Sequence, residues 1–454
     1  MTGGYGRTYE TGLGGDLGNQ TYPNKYLRPA WPRRALGGRG RVKSAAILSW
    51  SLLFPILVLL TLSITLRHED SGENFDWQVG LRLAGYTLAA LSVLLALATR
   101  KLRVDLPIFA WALVPICIMF TALYAPEPLF SFTAGIAHLA LLLFAWRIVN
   151  LHGQPSIVLG VVLTGAIVCL LSIFVFYAFP DLGRSTSDLL SGDPGGRMRG
   201  IAAQPNSLGT ISAITILLAV MHFRAFTTFQ RVFITGIIAI AAFCLVYTES
   251  RTSMAALLLC LLLWRLCRAN AAFNLFAVAA LALAASLVVA YIPDISIYIS
   301  RTGAGPEDVA SLNGRSRIWD VAIENIQAHP LLGQGYGSSS LILPDRLFSA
   351  ALNCHNVYLE LLFSGGAVLF GLYLLSLGIS VFRSATRKRV EGLIALLFFL
   401  VVGAAEATPF GGLPLFPAFV FYVAVALCLV RSQSELPSAT MMRRRPAFAG
   451  PRHR

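Results

Sequence analysis

The stretch SAAILSWSLLFPILVLLTLSITL, residues 44–66, contains no charged side chain. About 20 consecutive apolar residues are enough for a helix to cross the hydrocarbon core of a bilayer. Of the 454 residues, 56% are apolar and 13% are charged, and the mean hydropathy is +0.68, whereas soluble domains use about 25% charged residues. The sequence therefore predicts an all-α polytopic membrane protein and excludes a soluble globular enzyme.

Apolar runs of similar length recur along the chain and predict about twelve transmembrane helices, nine within residues 44–292 and three within residues 354–430. The predicted spans are 44–66, 79–99, 104–124, 129–149, 156–179, 207–223, 232–248, 252–267, 272–292, 354–382, 391–408 and 412–430. Residues 1–43 and 431–454 form basic tails, and the first is rich in Gly, Tyr, Arg and Pro without an apolar period. Such a composition predicts disorder for residues 1–43.

Lysine and arginine are concentrated in alternate connections between the predicted spans. Basic residues precede the first span and follow each even-numbered span, whereas odd connections such as 67–76 and 125–128 are acidic or mixed. Because cytoplasmic loops carry the excess of Lys and Arg, both tails are predicted to be cytoplasmic. This topology accounts for the formal net charge of +14, so we expect no nucleic-acid partner.

Two further features concern metals and the largest loop. The seven cysteines form no CxxC pair, so we expect neither a metal site nor a cofactor.

The outer connection 293–353 contains RSRIWDVAIENIQ (315–327), where apolar residues recur on one face of a helix. This loop is therefore predicted to hold an amphipathic helix, capped by Asn313, ended by a His-Pro pair and with Trp319 at interfacial depth.

Polar side chains suited to chemistry fall at the outer ends of the predicted spans. The stretches are RGIAAQPNSLG (199–209), TESRTS (248–253), NGRSRIW (313–319), GQGYGSSS (333–340) and CHNVYLELLFSGG (354–366). Together they supply several arginines and one histidine at one membrane face. The planar guanidinium fork matches phosphate oxygens two at a time, and imidazole can take or hold a proton near neutral pH. This set fits an anionic phosphate leaving group with a hydroxyl nucleophile beside it.

Each of these residues also has a purely structural interpretation. An arginine at a span end can anchor the helix by snorkelling, and Arg317 can occupy a solvated face. His355 and Asn356 can begin a helix with a capping amide. GQGYG can be a plain turn, because it lacks the preceding strand and the GK[ST] ending of a phosphate-binding loop. Three acids can lie near the site: Glu249, Glu360 and Glu406. For Glu360 we expect a role in packing between helices.

In their order along residues 199–366, these stretches form a series of motifs. The series RxxxxxPNxLG, TxSRT, GRxxxW, HPLLGxGxG and HNxYLxxLxxxG resembles that of the O-antigen ligase and O-antigen polymerase family of bacterial envelope proteins. The resemblance implies about twelve spans, one large periplasmic loop and a location in the bacterial inner membrane. It also implies metal-independent glycosyl transfer from undecaprenyl-pyrophosphate-linked oligosaccharide at the periplasmic face. The expected reaction is polymerisation of repeat units of a surface polysaccharide or exopolysaccharide, and the alternative is ligation of glycan to lipid A–core.

The resemblance implies roles for individual residues. Catalytic roles are expected for Arg251, Arg315 and His355, with the arginines on the pyrophosphate and the imidazole on the acceptor hydroxyl. Substrate-binding roles are expected for Arg199, Asn206, Glu249, Arg317 and Asn356. Besides the bilayer and the lipid-linked glycan, a chain-length regulator and a flippase are candidate partners.

Two interpretations from other classes are also open. Twelve spans with a polar cluster also suit a secondary transporter or a flippase for lipid-linked glycan. Transporters usually place ionisable residues near the midplane, on broken helices related by internal repeats. The polar groups here lie at one face and no repeat relates the two halves, which favours the transferase. A structural scaffold in an envelope-assembly complex is the third interpretation.

Overall fold

Helices make up almost all the regular structure of the computed structural model. The structure describes residues 50–65, 77–99, 102, 104–152, 154–185, 196–268, 315–347 and 351–430. Apart from an isolated β-bridge between Arg184 and Met198, the regular elements in these residues are helical. This confirms the predicted class of an all-α polytopic membrane protein.

The helices are numbered in chain order. Up to residue 268 they are α1 (Trp50–Thr61), α2 (Trp77–Ala98), α3 (Leu106–Thr121), α4 (Pro128–His152), α5 (Gln154–Ala178), α6 (Pro180–Gly183), α7 (Pro205–His222), α8 (Thr228–Tyr247) and α9 (Arg251–Leu266). From residue 315 onward they are α10 (Arg315–Ala328), α11 (Ser339–Arg346), α12 (Val357–Thr386), α13 (Val390–Gly403) and α14 (Phe416–Leu429). A 3₁₀ turn, Phe223–Ala225, extends α7.

Most of the predicted spans coincide with helices. Within the described ranges, six helices are long and apolar enough to cross a membrane, namely α2, α4, α5, α7, α8 and α12. Helices α3, α13 and α14 are apolar but shorter. The predicted span 272–292 and both tails lie outside the described residues, as does the predicted cap Asn313. The amphipathic helix of the outer loop is present as α10, and it ends at Ala328, just before the His-Pro pair.

Helix α14 is the central element of the bundle. All 14 of its residues are buried, as expected for a helix that is apolar on every side. It packs against α1, α3, α4, α7, α12 and α13. Helix α7 lies beside it and is also buried along most of its length. The first residues of α7 and α14 therefore frame the same end of the bundle.

Two predicted boundaries are wrong, and the error matters for the site. The apolar pattern predicts spans over 391–408 and 412–430, but α13 ends at Gly403 and α14 begins at Phe416. Residues 404–415, which we call the linker segment, are not helical. The segment contains two prolines and two glycines, and proline removes a backbone donor and clashes with the preceding helical turn. Apolar composition alone therefore overestimates the length of both helices.

A loop from the outer connection is inserted into the bundle and interrupts α12. Within α12, Gly366 has non-helical torsions, φ 57° and ψ −158°. The backbone N–H groups of Ala367 and Val368 donate to the carbonyl oxygens of Pro330 (2.8 Å) and Leu331 (3.2 Å). In return, residues 334 and 335 donate to the carbonyl oxygens of residues 363 and 364, at 2.8 and 2.9 Å. The inserted loop, residues 330–338, thus satisfies backbone groups that the break leaves open, which a buried segment requires.

The glycines of GQGYG are explained by this insertion. Gly333, Gly335 and Gly337 have φ values of 66°, 98° and 85°, which side chains rarely permit. A Cβ built on Gly335 would lie 2.4 Å from the Cβ of Ala125. The spacing of glycines therefore serves backbone conformation and close packing, in agreement with the interpretation as a turn.

Replacement of Gly335 by alanine should destabilise the protein. The unfavourable φ alone costs about 1–2 kcal/mol, and the clash with Ala125 adds to it. We expect a lower midpoint of thermal unfolding in detergent. Gly371→Ala in α12, where a Cβ would meet open space, is the control and should leave the midpoint unchanged or slightly raised. Equal midpoints for wild-type and Gly335→Ala protein would contradict this account of the inserted loop.

Candidate functional site

A carboxylate on the linker segment joins three helix ends. Oε1 of Glu406 accepts hydrogen bonds from Nη2 of Arg315 (2.8 Å) and from Nδ2 of Asn206 (2.7 Å). Oε2 lies 3.6 Å from Nδ1 of His355. The side chain of Glu406 is 10% exposed. The starts of α7, α10 and α12 therefore meet at one acid, although their residues are far apart in sequence.

A second arginine extends this arrangement to the turn between α8 and α9. Nη2 of Arg197 donates to Oδ1 of Asn206 at 2.7 Å. The same guanidinium donates twice to the carbonyl oxygen of Thr248, from Nε at 3.0 Å and from Nη2 at 2.7 Å. We call the connected set the Glu406 cluster, and its members are Arg197, Asn206, Arg315, His355 and Glu406.

The electrostatics of the cluster keep Glu406 ionised. Burial by itself raises the pKa of a carboxyl group, since it disfavours the charged form. The contact with His355 and the charge of Arg315 outweigh burial, so the pKa of Glu406 is lowered from its ordinary value. Two guanidinium groups and one carboxylate leave the cluster with excess positive charge, which is what an anionic ligand requires.

His355 is held in a strained backbone conformation. Its φ is 45°, which is uncommon outside glycine and is typical of functional positions. Its backbone N–H donates to Oδ1 of Asn353 at 2.9 Å. The next residue, Asn356, is the N-cap of α12 and accepts from the N–H groups of residues 358 and 359. Its Nδ2 donates to the carbonyl oxygen of Ala404 at 3.0 Å, so the predicted capping role of Asn356 is confirmed.

An open cleft of about 140 Å³ adjoins the cluster. Its lining includes Gln204 and Ser207 at the start of α7, Asn353, and much of the linker segment, including Glu406. Gln204 and Leu415, the residues at the N-caps of α7 and α14, both line it. The positive ends of two helix dipoles thus face the cleft and favour an anion there.

A small apolar pocket adjoins the cleft. It shares Ala203, Ser207, Leu415 and Pro417 with the cleft. Its remaining lining residues lie directly after α1, in the stretch before α7, and in α7 and α14 themselves: Leu62, Ser63, Thr65, Ala202, Ile211 and Phe416. A small apolar pocket of about 10 Å³ therefore lies directly beside the polar cleft.

The other predicted site residues lie at the same end of the bundle. Arg251 is the first residue of α9, Glu249 precedes it in the turn, and both are exposed. Arg317 is exposed on α10, two positions after Arg315, so the two side chains point to different sides of the helix. Arg199 is buried, and its backbone N–H donates to Gly183 at 2.9 Å. Ligand contacts by these four residues, and by Asn206 and Asn356, stay predictions.

One member of the cluster was not predicted. The arginine that binds Asn206 is Arg197, whereas the motif spacing points to Arg199. Glu406 was expected as an acid near the site although no motif contains it, since an acid inside a predicted span is itself a sign of function. Glu360, the acid expected to serve packing, is buried, and its Oε1 accepts a hydrogen bond from the Ser339 hydroxyl at 2.7 Å. This hydrogen bond joins α12 to the start of α11.

Trp319 also has a more specific contact than interfacial anchoring. Its Nε1 donates to the carbonyl oxygen of Cys354 at 3.0 Å, directly before His355. Helix α10 is thereby fixed to the start of α12 on the side where Arg315 reaches the cluster.

In the part of the chain that the structure describes, no group of three or more His, Cys, Asp or Glu side chains is placed to hold a metal ion.

Comparison with known proteins bears on this site. A family model described as O-antigen ligase matches residues 236–374. The matched region contains four of the predicted motifs and includes Arg251, Arg315 and His355, whereas Arg197, Asn206 and Glu406 lie outside it. No curated protein sequence matches the chain.

Replacement of Glu406 by glutamine should change the pH dependence of stability. Because the folded-state pKa of Glu406 is lowered, its stabilising contribution is present above the ordinary carboxyl pKa of about 4.3 and is lost as the pH falls through the folded-state value. The difference in unfolding free energy between wild-type and Glu406→Gln protein should therefore be constant from about pH 5 upward and shrink below about pH 4. Chemical denaturation in detergent measures it.

Glu324→Gln is the matched control for this measurement. Glu324 pairs with Arg346 at 2.9 Å, but the two side chains are 64% and 44% exposed. Such pairs contribute about 0–1 kcal/mol, so this variant should follow the wild type at every pH. If the difference in unfolding free energy between wild-type and Glu406→Gln protein stays constant down to pH 3, the stabilising role of the ionised carboxylate is wrong.

Proposed function

We propose that this chain, whose residues 236–374 match a family model described as O-antigen ligase, transfers glycan from undecaprenyl-pyrophosphate-linked oligosaccharide. The chain is a multi-pass membrane protein, and the proposal places the Glu406 cluster at the periplasmic face of the bacterial inner membrane. The alternation of basic loops supports this orientation, since it predicts cytoplasmic tails. The family membership supports a glycan ligase or polymerase in general.

The proposed acceptor is a second lipid-linked repeat unit, so that the reaction polymerises a surface polysaccharide or exopolysaccharide. The description of the family as O-antigen ligase favours the alternative acceptor, the lipid A–core of lipopolysaccharide. Both reactions use the same donor and the same leaving group. The site residues therefore have the same roles in either case.

Arginines stabilise the leaving group in the proposed mechanism. As the glycosidic bond breaks, its electron pair passes to the pyrophosphate, which departs as undecaprenyl pyrophosphate. Arg315 and Arg197 supply positive charge at the cluster, Arg251 begins a neighbouring helix, and two helix N-termini face the cleft. Preorganised charge of this kind is typically the largest catalytic contribution, with one donor worth on the order of 10²–10³ in rate.

His355 takes the proton of the acceptor hydroxyl in the proposed mechanism. The hydroxyl oxygen attacks the anomeric carbon, and the proton moves to the imidazole, contributing roughly 10²–10⁴ in rate. Oε2 of Glu406 lies 3.6 Å from Nδ1, so its negative charge stabilises the imidazolium that forms. A base with an acid beside it is a common way to activate a nucleophile.

The apolar pocket beside the cleft supports a position for the polyprenyl chain. Leu62, Ile211 and Phe416 line this pocket, whose volume is about 10 Å³. A pocket of this size does not enclose a hydrocarbon chain, so in the proposal the chain lies between helices in the bilayer beside it, with the attached pyrophosphate at the cleft. The single observation that carries the proposal is the convergence of Arg315, His355 and Glu406 beside a polar cleft.

Turnover of a purified lipid-linked oligosaccharide tests the function. We expect the purified protein in detergent to lengthen the glycan and release undecaprenyl pyrophosphate without ATP. Addition of lipid A–core as a second acceptor distinguishes ligation from polymerisation. Movement of intact lipid-linked glycan across vesicle membranes, without bond formation, would instead identify a flippase or transporter.

Replacement of His355 by alanine should abolish glycan transfer and leave insertion into the membrane intact. The acceptor hydroxyl then lacks a base, so the rate should fall by roughly 10²–10⁴. Polymer on gels and turnover of the purified protein measure this. His329→Ala, an exposed histidine of the same outer connection, is the control and should keep wild-type activity. Normal polymer length and yield in His355→Ala cells would refute the role of the imidazole.

Replacement of Arg315 by lysine should also impair transfer severely. Lysine keeps the charge but cannot reproduce the planar fork that binds a carboxylate and a phosphate at once. We expect a loss on the order of 10²-fold in turnover. Arg346→Lys, in an exposed ion pair of the same outer connection, is the control. Activity of Arg315→Lys within a factor of about two of wild type would argue for simple anchoring.

A further inference from the structure

A column of buried polar side chains lies behind the cleft. The hydroxyl of Tyr336, from the inserted loop, is 2.8 Å from the carbonyl oxygen of Phe410 and 2.7 Å from that of Gly412. His138 of α4 lies behind it, with Nε2 at 3.2 Å from the Tyr336 hydroxyl. Nδ1 of His138 is 2.8 Å from the hydroxyl of Tyr422 in α14. All three side chains are fully buried or nearly so.

The available donors and acceptors determine which atoms of this column carry the protons. Nε2 of His138 also lies 3.4 Å from the carbonyl oxygen of Gly412, which can only accept, so Nε2 carries the proton and Nδ1 accepts from Tyr422. The backbone N–H of Gly412 donates to the Tyr336 hydroxyl at 3.3 Å. The two lone pairs of Tyr336 are then filled, and its single proton is directed at the carbonyl oxygens of residues 410 and 412. Every polar group of the column is satisfied.

The column holds one wall of the cleft. Gly411, Gly412 and Leu413 line the cleft, and the backbone of this stretch is contacted from behind by Tyr336. Farther along the same stretch, Tyr86 of α2 donates to the carbonyl oxygen of Pro414 at 2.7 Å. Glycine backbone has little stiffness of its own, so the position of the wall depends on these hydroxyl groups.

We propose that Tyr336 is a positioning residue for the glycan-transfer site, with its hydroxyl, oriented by His138, setting the position of the wall formed by residues 410–413. This inference rests on the proposed function. The Tyr336 hydroxyl makes its polar contacts with His138 and with the backbone of residues 410 and 412. It therefore acts through the linker segment, which carries Glu406 near one end and the cleft wall in its middle, rather than on the reacting atoms.

The ring and the hydroxyl of Tyr336 have separable roles. The ring stacks on Phe130 with centroids 6.4 Å apart, and this packing survives replacement by phenylalanine. The hydroxyl is the group that reaches residues 410 and 412. Tyr336→Phe therefore removes the positioning contact and keeps the hydrophobic one.

Steady-state kinetics of Tyr336→Phe test the proposal. With purified lipid-linked repeat unit as substrate, we expect KM to rise about tenfold with kcat reduced less, since a displaced wall weakens substrate binding, and the thermal midpoint to fall only slightly. Tyr124→Phe is the control, because the Tyr124 hydroxyl donates to Leu332 of the same inserted loop at 2.6 Å and makes that contact away from residues 410–413. It should retain wild-type KM.

The outcomes separate this inference from the proposed function. Unchanged KM in Tyr336→Phe, or a loss of activity equal to the loss of folded protein at constant KM, overturns the positioning role. If Tyr336→Phe does not accumulate in membranes, Tyr86→Phe decides the question, since it releases the same stretch at Pro414 and should also raise KM. If the wild-type protein itself does not transfer glycan, the proposed function fails.

Discussion

A buried carboxylate is the constraint on which the arrangement of this protein depends. Glu406 sits among helix ends with little access to water, and an unpaired charge there would be strongly destabilising. It remains ionised because Arg315, Asn206 and His355 surround it. Each of these residues begins or lies near the start of a different helix. Satisfying one charge therefore fixes the relative positions of α7, α10, α12 and the linker segment, and the same contacts bring the candidate catalytic groups together.

The inserted loop is the second element that shapes the site. A broken helix normally leaves backbone groups without partners, which is costly in a membrane protein. In this protein residues 330–335 exchange hydrogen bonds with both sides of the break at Gly366. The insertion brings Tyr336 to the back of the linker segment. The same exchange thus repairs α12 and delivers a polar side chain to the cleft wall.

The sequence predicts the fold class and most helices, because apolar runs are local patterns, and it predicts that the polar motifs gather at one end of the bundle. It predicts Arg315 and His355, since both lie in dense polar motifs. It fails where tertiary contacts decide. Arg197 and Arg199 are two residues apart and chemically identical, so only the structure shows which one contacts Asn206. Glu406 is one of three acids that the sequence places near the site, and its central position among Arg315, Asn206 and His355 is visible only in the structure.

The distance between partners along the chain has a consequence for biosynthesis. Asn206 binds an acid 200 residues further on, and synthesis proceeds at about 5–20 residues per second. At these rates the start of α7 waits in the membrane for roughly 10–40 s before Glu406 is made. Until α13, the linker segment and α14 have been inserted, neither the Glu406 cluster nor the cleft exists. The candidate site therefore assembles only when translation is nearly finished, and a half-translated chain lacks it.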